Sequence, residues 1–189
     1  MPTNKILLMS ADYFKRNSVV NLNVDNELIN PQILKAQNMY IERICGSNLF
    51  DTLLTQVTSG TLEARMITLL EDYLQPTLVE YTLYTGLLYF NYKITNKSIA
   101  KKGSDNSEPS DLQEVNYLRA DIRNDAQYLA DRATKFLKAN LTTYPEYNTG
   151  NSDCDDIKPS RKNFFGSIYL KGNDYNNDCN YGLGIGDIL

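Results

Sequence analysis

Apolar positions recur with a helical period through the middle of the chain and lose that period towards both ends. Residues 5–9 hold a short apolar run that predicts a strand or extended lead-in. Residues 12–30 are polar and irregular, with Val19, Val20, Leu22 and Val24 loosely alternating as in an extended segment. The first clear helix is predicted to open at Asn30-Pro31, an N-cap residue followed by a proline that suits the first turn. Ile33, Ala36, Tyr40, Ile41 and Ile44 then share a face, and Gly46 is expected to stop the helix in the left-handed conformation. Leu49, Phe50, Leu53, Leu54 and Val57 mark a second short helix ending at Ser59-Gly60. A third helical stretch covers residues 61–92, where Pro76 predicts a kink or break.

Beyond Pro76 the pattern changes in kind. Leu78, Val79, Tyr81, Leu83, Tyr84, Leu87, Leu88, Tyr89, Phe90 and Tyr92 surround the helix almost completely. A helix apolar on all sides must be covered on all sides, by its own fold or by a neighbouring subunit. Tyrosine suits partly wet interfaces because it joins an apolar body to a polar tip. Tyr81, Tyr84, Tyr89 and Tyr92 are therefore interface candidates, with an ordinary core role as the alternative.

Residues 97–109 read as a linker of Lys, Gly, Ser, Asp and Asn. Ser110 and Gln113 form a capping box. The longest predicted helix follows, to about Asn140, with Leu112, Val115, Arg119, Ile122, Ala126, Leu129, Ala133 and Phe136 on one stripe and Leu118 and Leu137 widening it. After Pro145 the chain is rich in Asn, Asp and Gly and keeps no helical period. Residues 148–189 are expected to form a long extended arm with one strand or hairpin, carrying one apolar island: Phe164, Phe165, Ile168, Tyr169 and Leu170. That island is a candidate docking peptide or a strand packed on the parent domain. The reading is thus all-α: a bundle of four to five helices in residues 1–147, with an extended N-terminal lead-in and the arm in 148–189.

Composition narrows the function. A formal net charge of -4 and a pI near 4.9 argue against a grip on phosphate backbones, which calls for basic patches. With no histidine there is no Ser-His-Asp or Cys-His machinery and no His-bearing zinc site. Cys45, Cys154 and Cys179 stand far apart and read as free thiols of a reducing compartment. No run resembles a signal peptide or a membrane span, so no membrane association is expected.

Three patterns invite chemistry. Asp174-Tyr175-Asn176-Asn177-Asp178 opens like a calcium loop, but Cys179 replaces the required Gly and Ile185 the bidentate Glu, so a solvated tail is the better reading. Asp121, Asp125 and Asp131 on the long helix could share a metal or divide acid and base roles. Interleaved Arg119, Arg123 and Arg132 explain them as surface ion pairs instead. Gly182, Gly184 and Gly186 close the chain with no helix after them to cradle a phosphate. No catalytic residue, metal site or cofactor is assigned.

Residues 23–54 carry a resemblance. Asn23-Val24-Asp25, Ile29-Asn30-Pro31-Gln32-Ile33, Ala36-Gln37, Ile44-Cys45-Gly46 and Leu49-Phe50-Asp51-Thr52-Leu53 resemble the opening of the small head–tail connector proteins of tailed phages. These are the adaptors of the HK97 type, most similar to those of Bacteroidales phages, including crAss-like phages. The order of elements matches from about Lys5 to Tyr147; residues from Asn148 onward lie outside the pattern. The resemblance implies a non-enzymatic virion structural protein of the neck, made in the host cytoplasm. It implies a homo-oligomeric, dodecameric ring between the portal protein and the next neck or tail ring protein, with DNA passing through the channel without sequence-specific binding. Closed rings need head-to-tail contacts between two different surfaces of each copy. The alternatives are a soluble cytoplasmic adaptor or inhibitor that binds one protein through its C-terminal arm, and a metal-dependent hydrolase built on the aspartates.

Overall fold

In the computed structural model, residues 6–94, 99–101, 112–147, 157 and 159 are described. Their helices make five rods: α1 (Ala11–Arg16); α2 (Asn26–Ala36) running through a π-helical turn, Gln37–Ile41, into α3 (Glu42–Cys45); α4 (Ser47–Ser59); α5 (Ala64–Leu69) running through a second π turn, Leu70–Leu74, into α6 (Gln75–Asn91); and α7 (Leu112–Ala139). The fold is an all-α bundle. One short antiparallel ladder, β1 (Tyr92–Ile94) with β2 (Ile99–Lys101), extends the end of α6, and a 3-10 turn, Pro145–Tyr147, follows α7.

α6 is the central helix. It packs against α2 on one side and α7 on the other, while α3 reaches across to touch α7. The apolar stripes predicted from the sequence supply much of the core: Ile33, Leu49, Leu53, Leu78 and Leu137 are fully buried, joined by Ile29 and Leu74, which lay outside those stripes. On α7 the buried stripe runs through Val115, Ile122, Ala126, Ala130, Ala133 and Leu137. Leu118, placed in that stripe by the sequence, points to solvent instead. Much of the all-round apolar character of α6 is satisfied inside the chain: Leu78, Val79, Tyr81 and Leu83 are buried among its own helices.

The lead-in is more structured than its polarity predicts. Ser10 accepts a hydrogen bond from the Tyr13 N–H and caps α1, which buries Ala11 and Phe14. Residues 6–9 find their backbone partners in side chains rather than in a sheet. Gln37 accepts from the Leu8 N–H (2.9 Å) and donates to the Ile6 carbonyl (3.1 Å), and Gln75 donates to the Leu8 carbonyl (3.1 Å). The second helix begins four residues before the predicted Asn30, at Asn26, so Pro31 lies inside it. Burial of Ile29, in step with Ile33, carries the helix back past the proline.

Pro76 neither breaks nor ends its helix. The π turn just before it, in which the Gln75 N–H bonds the Leu70 carbonyl, widens the coil where the proline ring needs room. Gly46 has positive φ as expected, but its ψ of 156° is extended rather than left-handed helical. It turns the chain so that Phe50 N–H bonds the Gly46 carbonyl and α4 starts at once. Gly60 ends α4 in the left-handed conformation, as predicted. Ser110 and the arm from residue 148, including Phe164, Phe165, Ile168, Tyr169 and Leu170, lie outside the described residues, except for Ile157 and Pro159. Ile157 is tied to the start of α4: Ser47 N–H donates to its carbonyl (3.0 Å) and its own N–H donates to Ser47 Oγ (2.9 Å).

Candidate functional site: a basic, tyrosine-floored groove

An open groove of about 520 Å³ lies between the α2–α3 rod and α7, with α6 beneath it. Tyr40 lies in the first π turn, just before the buried Ile41, and over α6. There the Tyr40 and Tyr81 rings stack in parallel (3.9 Å between centroids, 3° between planes), and Tyr84 meets Tyr40 edge-on (6.4 Å). Burial raises the pKa of Tyr40 and Tyr81 above the usual tyrosine value, so both stay protonated hydrogen-bonding phenols.

The walls carry the charge. Arg43 stands on the α3 side, and Arg123, Lys135 and Lys138 on the α7 side. One anion, Asp131, shares the lining and accepts a hydrogen bond from Gln127 (2.9 Å). All four cations are exposed, and among the described residues the ion pairs are those of Arg65 with Glu63 and with Glu146, none of them in the groove. A chain of net charge -4 thus gathers four cations and one anion around one cleft.

The expected pairing of α7 arginines with its aspartates is not what the rings and charges do. Arg119 lies over the Tyr84 ring (4.5 Å) and donates to the Tyr84 carbonyl, and Arg132 lies over the Tyr73 ring (4.8 Å). Cation–π contact and a carbonyl have taken the place of carboxylates. Asp121 and Asp125 stay on the exposed surface of α7, away from Asp131, so the three aspartates are not brought together. Among the described residues no group of three acidic or cysteine side chains could hold a metal ion. No helix of the described residues is long and apolar enough to cross a membrane. The Asp174–Asp178 loop lies outside the described residues.

Of the predicted interface tyrosines, Tyr81 and Tyr84 meet in the groove floor and Tyr89 is exposed on α6, with Lys35 over its ring (5.5 Å). The side chain of Tyr92 is outside the described set. Two large apolar side chains on α7 were not singled out from the sequence, Tyr117 (81% exposed) and Tyr128 (71%); Leu118, expected to widen the core stripe, is 51% exposed. Tyr117 and Tyr128 are about three helical turns apart, hence on one face, opposite the buried stripe. Only their spacing, equal to that of Val115 and Ala126 on the core side, could have flagged them.

Among the described residues the bundle thus carries an open charged groove and an exposed aromatic face on α7. The chain belongs to the family of unknown function DUF6712, which it matches over residues 41–157, more than half its length. The match runs from the end of the first π turn through α7 to the Ile157 anchor on Ser47. No curated protein and no solved structure matches the chain.

Proposed function

We propose that the protein is a structural subunit of the ring that joins the portal to the tail in a phage particle. The observation that carries this reading is the solvent face of α7. A lone domain seldom leaves two tyrosines and a leucine this exposed along its longest helix, and aromatic residues on such a face are typical of the centre of protein contacts. The connector-like motifs in residues 23–54 supply the kind of assembly. They fall on the residues leading into α2, on the α2–α3 rod that forms one wall of the groove, and on the start of α4. In this reading the Gly46 turn and the Ile157 anchor fix where the C-terminal arm leaves the ring body.

Immunogold labelling of the chain in purified particles tests the proposal. Label at the head–tail junction is the expected result. Particles that carry no copy of the chain would overturn it.

A further inference from the structure

The groove and the exposed face of α7 are opposite in character, and among the described residues neither is covered by another element. Tyr117, Asp121, Asp125 and Tyr128 follow one another at intervals of three or four residues, so they form one row along the helix. All four are exposed, and neither aspartate makes an ion pair among the described residues. Glu80 of α6 is a neighbour of Asp125: its pKa is raised, first by burial and then by the Asp125 carboxylate. The row ends where Arg132, one turn beyond Tyr128, is drawn onto the Tyr73 ring.

The groove has the complementary set. Arg43, Arg123, Lys135 and Lys138 offer donors for two carboxylates, and Tyr40, Tyr81 and Tyr84 offer an aromatic floor for apolar bodies. Arg123 is two residues from Asp121 and from Asp125, about 160° around α7 from each, so the aspartates of one copy cannot reach its own Arg43 and Arg123; Lys135, seven residues beyond Tyr128, lies at the edge of the groove on the row's side. Two copies related head to tail can make that contact. We infer that the Tyr117–Asp121–Asp125–Tyr128 row of one copy docks against the Arg43, Arg123, Lys135 and Lys138 groove of the next.

A nucleic acid is the weaker occupant for the same cations. The groove is a short cleft between helices, the chain is acidic overall, and α7 presents two further carboxylates to anything passing over it. A neighbouring copy brings its own carboxylates and relieves like-charge repulsion on both surfaces together. The inference deepens the ring reading and rests on it for the head-to-tail arrangement.

Charge exchange in the full chain tests it. D121K/D125K and R123E/K135E each alter exposed positions, and circular dichroism confirms that the helices remain. Sedimentation velocity at low salt should show self-association of the wild-type chain, weakened about tenfold or more in each double variant. The quadruple variant, with both surfaces reversed, should return to within about threefold of wild type, because row and groove again attract. A wild-type chain that stays monomeric overturns the inference. So does a double variant that associates normally, or a folded quadruple variant that associates no better than the doubles. A single-stranded oligonucleotide bound in the groove, and displaced by R123E/K135E, would also overturn it. Mounting on portal rings separates this from the ring reading: double variants that close on the portal as wild type does sink only the docking surfaces. A wild-type chain that never mounts sinks the ring.

Discussion

Arg65 fastens the chain segment after α7 to the start of α5, and cutting that connection should cost measurable stability. Its guanidinium donates from Nη1 to Glu146 Oε2 (2.9 Å) and from Nη2 to Glu146 Oε1 (2.7 Å), a two-pronged contact. Nη1 also reaches the Thr143 carbonyl (2.8 Å), and Tyr144 Oη donates back to the Arg65 carbonyl (2.7 Å). Arg65 and Glu146 side chains are 24% and 23% exposed, so solvent screens part of the attraction. Charge-assisted bonds in this half-covered setting support a loss of about 2 kcal/mol for Arg65→Met and about 1 kcal/mol of coupling to Glu146→Gln. For a domain of this size the first value lowers Tm by about 4–8 °C. The assay is a double-mutant cycle followed by thermal melting with circular dichroism. The sign with pH is fixed by the carboxyl. Hydrogen bonding from Arg65 holds Glu146 below its ordinary value of 4.5, so its contribution is present above that value and lost as the pH falls through the depressed folded value. The difference between wild type and Glu146→Gln should therefore be full at pH 7 and vanish in strong acid. A coupling under about 0.3 kcal/mol, or a difference that does not change with pH, would refute the reasoning.

Three further outcomes follow from the packing. Gly46→Ala should destabilise by about 2 kcal/mol or more, since φ is +75° and a Cβ would meet the Pro159 ring at 2.7 Å; urea unfolding gives the value, and a neutral result would disprove the constraint. Cys45 is fully buried and its thiol is pushed up to about 12 by burial and by Glu42, so it should resist thiol reagents at pH 8 until the protein unfolds; rapid labelling in native buffer would contradict this. Gln37→Leu should leave the Leu8 N–H and Ile6 carbonyl without their partner, costing about 1–3 kcal/mol and releasing amide protection at Leu8 in hydrogen exchange; unchanged protection would count against the glutamine clasp.

The helices that the sequence shows best are those whose apolar stripe alone decides the structure. α4 and α7 emerge from spacing because Leu49 and Leu53 on one, and Ile122, Ala126, Ala133 and Leu137 on the other, stand four or seven residues apart, one or two helical turns. α1 is hidden because a six-residue helix with two buried side chains leaves no periodic signal. The true start of α2 is hidden because Pro31 reads naturally as a first-turn residue, and only the long-range burial of Ile29 outweighs it. The π turns leave no mark on the pattern, since Ile33, Gln37, Ile41 and Cys45, like Met66, Leu70, Leu74 and Leu78, are buried every fourth residue as in an uninterrupted α-helix. The groove escapes for a related reason. Arg43 and Arg123 look like ordinary solvated charges until α3 and α7 are laid side by side over α6. On α7, Asp121 and Asp125 suggest ion pairs with nearby arginines, yet Arg119 and Arg132 lie over tyrosine rings of the α5–α6 rod.

Native mass measurement of the full chain mixed with its portal protein bears most directly on the central claim. The account predicts one dominant complex holding one closed ring of the chain per portal ring, with an equal number of each subunit. A portal that passes through unchanged while the folded chain stays free would contradict it.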